Sequence, residues 1–68
     1  MDNLTTGQRI RQMRTANNIS REELAVKAGV SGTTVMRAEQ GRRVGTGSVV
    51  AMFAVLAPDT RVGELLNH

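Results

Sequence analysis

The sequence predicts an all-α fold, a compact bundle of five short helices, and three observations carry that prediction. Helix-start signals recur at Thr5-x-x-Gln8, Ser20-x-x-Glu23 and Ser31, each a hydroxyl placed to accept an amide of the following turn. Stop signals follow them at Asn17-Asn18, Gly29 and Gly41, residues that tolerate the left-handed geometry ending a helix. Between the signals, apolar residues recur at three-to-four spacing, the period of one helix face.

The first helix is expected from Thr6 to about Asn17, with Ile10, Met13 and Ala16 or Asn17 along its apolar side and mostly Arg and Gln elsewhere. The second runs from Arg21 to Ala28. Ser20 and Glu23 form its capping box, Ile19 and Leu24 occupy the two hydrophobic-staple positions, and Leu24, Ala25 and Ala28 face inward. The third runs from Gly32 to about Gln40, capped by Ser31 and flanked by Val30 and Val35 at the same staple positions. Its inward side is Val35, Ala38 and Glu39. Its opposite side is Gly32, Thr33, Met36, Arg37 and Gln40, small and polar with one long Arg, a surface suited to entering a groove.

A loop, GRRVGTG, covers residues 41–47. The fourth helix is expected to begin near Gly47 or Ser48 with Thr46 as its cap, and Pro58 stops it after Ala57. Its segment VVAMFAVLA is apolar nearly all round, which predicts the central and most buried helix. A strand over Val49–Val55 is the rival reading; helical neighbours and length favour the helix. The fifth helix is expected from about Arg61 to Leu66, capped by Asp59 or Thr60, with Val62, Leu65 and Leu66 on its apolar side. Asn67 and His68 are expected to fray.

With 68 residues, the chain forms one domain, residues 1–68, that buries only about 60% of its unfolded surface. No Cys is present to add a disulfide or a thiolate metal site. Phe53 is the sole aromatic, which argues against a base-stacking platform for single strands or RNA. The longest apolar run, Val49–Ala57, has nine residues, short of the ~20 that cross a bilayer. The N-terminus lacks the basic-then-apolar pattern of a signal peptide.

An enzyme is not expected. The single His is His68, Glu22 and Glu23 point to different sides of one helix, and residues 41–47 lack the GxxxxGK[ST] arrangement of a phosphate-cradling loop. Neither a metal nor a cofactor is expected.

Charge is unevenly placed. Residues 1–43 hold eight Arg and Lys against four Asp and Glu, whereas residues 44–68 hold one against two. The basic half coincides with the paired helices, so a polyanion meeting that half is the natural partner.

Residues 20–41 resemble the helix-turn-helix of the Cro and phage-repressor-like family, also called the xenobiotic-response-element family. Leu24, Ala25, Ala28, Gly29, Val30, Val35 and Ala38 carry the likeness, with the trailing Glu39-x-Gly41-Arg42. It extends over roughly Leu4 to Leu66. The resemblance implies a lambda-repressor-like five-helix domain whose second and third helices form the motif, and sequence-specific binding of double-stranded DNA through the major groove. It implies a bacterial or phage transcriptional regulator, foremost a repressor, in the cytoplasm with the nucleoid.

Roles follow from the same resemblance. Ser31, Gly32, Thr33 and Arg37 match the base-reading positions, with Gly32 departing from the long polar side chain often found there. Arg37 is the foremost reader, since a guanidinium can bond guanine O6 and N7 together. Arg21, at the start of the second helix, matches a position beside the DNA backbone. Arg42 and Arg43 are expected to anchor phosphates, and Arg9 to reach one; Arg11 ranks after it. Thr34 either faces a phosphate or caps the third helix. Arg14 and Glu39 match a structural ion pair between the first and third helices.

A homodimer is expected, through Val62, Leu65 and Leu66, to set two recognition helices on a near-palindrome. Alternatives are the DNA-binding antitoxin of a toxin–antitoxin pair or another protein-interaction module, with a toxin or antagonist as partner, and a restriction–modification controller.

Overall fold

The computed structural model describes residues 4–57. They form four helices, α1 (Thr6–Ala16), α2 (Arg21–Ala28), α3 (Gly32–Glu39) and α4 (Thr46–Leu56), with no strand among the described residues. The expected fifth helix, Arg61–Leu66, lies outside them, and so do the expected dimer residues Val62, Leu65 and Leu66.

Local chemistry sets the boundaries of the first three helices. Capping boxes start α1, between Thr5 and Gln8, and α2, between Ser20 and Glu23. At α3 the Ser31 hydroxyl accepts from the Thr34 amide at 3.1 Å. All three end alike. The amides of Asn18 and Ile19 donate to the carbonyls of Thr15 and Arg14; those of Gly29 and Val30 to Val26 and Ala25; those of Gly41 and Arg42 to Ala38 and Arg37. This is the paired 5→2 and 6→1 bonding of the Schellman motif. It requires one left-handed residue, and Asn18, Gly29 and Gly41 supply it with φ of 58°, 71° and 79°.

The start of α4 differs from expectation. Thr46 is its first helical residue and Gly45 its cap, with no side chain accepting from the first turn. Gly45 continues extended while its carbonyl already accepts from Ser48 and Val49, so the helix begins one to two residues earlier than the hydroxyl of Thr46 suggested.

All four helices supply the core: Ile10 from α1, Leu24 and Ala25 from α2, Val35 and Ala38 from α3, and Met52, Phe53 and Leu56 from α4. Both α1 and α2 pack against α3 and against α4. Met13, Ile19, Ala28, Val30, Val44, Val49 and Val55 pack partly buried around that centre. Two expectations are corrected. α4 is not buried on every side, because Val50 and Ala54 are exposed. Ala16 is exposed too, leaving Ile10 and Met13 as the apolar side of α1.

A close approach of α1 to α3 is set by Gly7, in the first turn of α1. A Cβ built there would overlap the carbonyl oxygen of Ala38 and lie 3.1 Å from that of Glu39. Only a residue without a side chain lets α1 lie so near the backbone of α3.

Candidate nucleic-acid interface

Two short helices with a Schellman turn between them set α3 against α2, and packing then decides which side of α3 remains outside. Successive residues turn by about 100° around a helix. Val35 and Ala38 are buried, and the Glu39 side chain is 2% exposed. The opposite side carries Gly32, Thr33, Met36, Arg37 and Gln40, all exposed. Thr33 and Gln40 lie near the middle of that outward face, Arg37 flanks them on one side and Met36 on the other.

The inward edge of α3 ends in a three-residue ionic knot. Arg14 of α1 donates from Nε to Glu39 Oε2 at 2.6 Å and from Nη2 to Oε1 at 3.3 Å, and its Nη1 donates to the Ile19 carbonyl at 3.0 Å. Arg21 of α2 donates from Nε to Glu39 Oε1 at 3.1 Å. One carboxylate thus ties α3 to both preceding helices. Burial of Glu39 by itself raises its pKa; hydrogen bonds from Arg14 and Arg21 and their positive charges outweigh that, and the net shift is downward. Arg14 is nearly enclosed, at 12% exposure, while Arg21 keeps 44% of its side chain in solvent.

The residues singled out in sequence separate into three kinds. Gly32, Thr33 and Arg37 share the outward face. Ser31 and Thr34 serve α3 itself: beside the cap bond, their hydroxyls bond each other at 2.9 Å, and Thr34 is half-buried. Arg21 is a partner of Glu39 with its outer end in solvent. The pairing of Arg21 with Glu39, eighteen residues apart, and the role of Gly7 were not anticipated. Met36 and Gln40 share the outward face without having been singled out as readers.

The remaining basic groups form no ion pair among the described residues. Among the described residues the only ion pairs are the two to Glu39. Arg11, Arg37, Arg42 and Arg43 are exposed, and Arg9 is half-exposed. The Schellman motif that ends α3 carries the backbone directly into Arg42 and Arg43. These two line an open cleft with Thr5, Thr6 and Thr46, where the first turns of α1 and α4 meet the end of α3. A largely polar helix face followed by exposed cations offers hydrogen-bonding groups and positive charge on one side of the domain.

No group of His, Cys, Asp or Glu among the described residues is placed to hold a metal ion, and no helix among them is long and apolar enough to cross a membrane. A family model described as a helix-turn-helix domain matches residues 6–57. No curated protein and no solved structure matches the chain.

Proposed function

The chain belongs to the helix-turn-helix domain family, within the xenobiotic-response-element clan, and on that premise we propose that it is a sequence-specific transcriptional repressor, a binder rather than a catalyst. DNA is its partner. Thr33 and Arg37 read base edges in the major groove, with Gly32 permitting close approach and Ser31 holding the start of α3. Arg42, Arg43 and Arg9 contact phosphates. The outer end of Arg21 adds a further contact beside the DNA backbone, its Nε remaining on Glu39. A bound protein of this size occludes a promoter without any second activity. One module reads few base pairs, so the working form is a homodimer on a near-palindrome, in the cytoplasm with the nucleoid.

The observation that carries this reading is the outward face of α3, where Thr33 and Arg37 are exposed while Val35 and Ala38 on the other face are buried. Selection of bound sites from a random duplex pool tests it and yields the half-site, spacing and symmetry. Arg37→Ala is expected to relax preference at one base position by about 1–3 kcal/mol. Arg42→Ala with Arg43→Ala is expected to weaken all sequences alike and to lower the salt slope by about 0.9 for each phosphate no longer neutralised. Equal loss on every sequence for Arg37→Ala would remove it as a reader.

A further inference from the structure

The outward face of α3 carries one apolar side chain among polar ones. Met36 is 37% exposed, and it is the only exposed large apolar residue of α3. One turn before it, on the same side of the helix, stands Gly32. A Cβ built on Gly32 would meet nothing within 4 Å, and Gly32 has no left-handed backbone that would demand a glycine. Nothing among the described residues therefore accounts for the missing side chain. The result is open space one helical turn before an exposed methionine.

A major groove closing over that face meets a chemical constraint. The groove's edge groups are mostly hydrogen-bond donors and acceptors; among the unmodified bases only thymine, through its C5 methyl, adds an apolar group that projects from the edge. A thioether is at best a weak acceptor and satisfies none of the donors or acceptors well. Pressed against a polar base edge, Met36 would strip water from that edge and return little. Pressed against a methyl, it gains by apolar burial and by its own polarizability.

We propose that Gly32 and Met36 together read the C5 methyl of a pyrimidine in the major groove. Gly32 leaves room for the methyl and Met36 packs against it. The inference rests on the DNA-binding reading above. It deepens that reading by adding to the guanidinium of Arg37, on the opposite flank of the face, a second element that recognises shape instead of hydrogen bonds. Thymine and 5-methylcytosine share the recognised group.

The test starts from the site selected by the wild-type protein. Each thymine is replaced in turn by uracil, which keeps every hydrogen-bonding edge and removes only the methyl. One replacement is expected to weaken wild-type binding about fourfold, the effect of burying about one methylene-sized group. Met36→Ala is expected to show no penalty at that position, and Met36→Leu to retain it. Placing a 5-methylcytosine pair there should improve wild-type binding over the unmethylated cytosine pair by a similar factor, with no such gain for Met36→Ala. Whether thymine or 5-methylcytosine is bound more tightly then identifies the natural source of the methyl, and either order supports the proposal. Exposure of Met36 leaves the fold intact in both variants, which matched melting temperatures verify. A flat uracil scan, or a uracil penalty undiminished in Met36→Ala, overturns the proposal and leaves DNA binding standing. A random pool from which no site is enriched overturns the DNA-binding reading itself.

Discussion

The two faces of α3 are built on opposite terms. The inward face is determined by its neighbours: Val35 and Ala38 lie in the core, the backbone of Ala38 admits only a glycine at position 7, and Glu39 is held from two helices. On the outward face, Thr33, Met36, Arg37 and Gln40 form no side-chain hydrogen bond or ion pair among the described residues, and Gly32 borders open space. The difference teaches that the packed residues and the free, solvent-facing ones alternate within α3 and its cap with little overlap. Substitutions on one face should register in melting, and on the other in binding.

The largest expected effect is on the inward side. Arg14→Ala leaves the Glu39 carboxylate, 2% exposed, with Arg21 as its remaining partner, and the Ile19 carbonyl without its donor. A loss of about 3 kcal/mol is expected, the lower end for breaking a buried pair because Arg21 remains. Chemical denaturation measures it; a loss under about 1 kcal/mol would show that the knot contributes no more than a surface pair.

Gly7→Ala comes next. The added Cβ meets backbone, which cannot rotate away as a side chain can. A net loss of about 1–3 kcal/mol is expected even though alanine favours a helix. Unchanged stability would mean that α1 slides off α3 without penalty, which would break the comparison on its inward side.

Acid has a smaller effect, because a protonated Glu39 can still accept from both arginines. The folded-state pKa of Glu39 lies below its ordinary 4.5. Its contribution is therefore fully present above that value and is lost as pH falls below it. Melting temperature should decline in that range, and Glu39→Gln should flatten the decline attributable to this group. An identical pH profile for the variant would assign the decline to other carboxylates.

The smallest effect has the opposite sign. Gly32→Ala places its Cβ in open space on a helical backbone, so a gain of about 0.5–1 kcal/mol is expected in melting without DNA. Glycine to alanine at positions 7 and 32, on opposite sides of α3, thus sharpens the contrast within a single type of substitution. Destabilisation at both positions would erase it.

What the sequence reveals follows the range of the forces involved. The caps at Thr5, Ser20 and Ser31 and the stops at Asn18, Gly29 and Gly41 act within a few residues, and they were legible as spacing. The outward set of α3 was legible from periodicity alone. Arg14 and Glu39 were paired through family resemblance, since nothing local links two residues 25 apart. Arg21 illustrates the limit: its place at a helix start gives no hint of the Glu39 carboxylate, eighteen residues on, that its Nε meets. Gly7 was hidden because a glycine in a first helical turn has no local signature of close packing. Thr46 misled because a hydroxyl beside a glycine looks like a cap, while the backbone turns at Gly45.

The ionic knot has one more consequence. A helix gripped at its last residue from two directions resists rolling about its own axis. The angular phase at which Thr33, Met36 and Arg37 face outward is then inherited from α1 and α2. Exchanging those outward side chains should rewrite the preferred sequence while the geometry of docking stays as it was, as new teeth cut on one key blank still enter the same keyway.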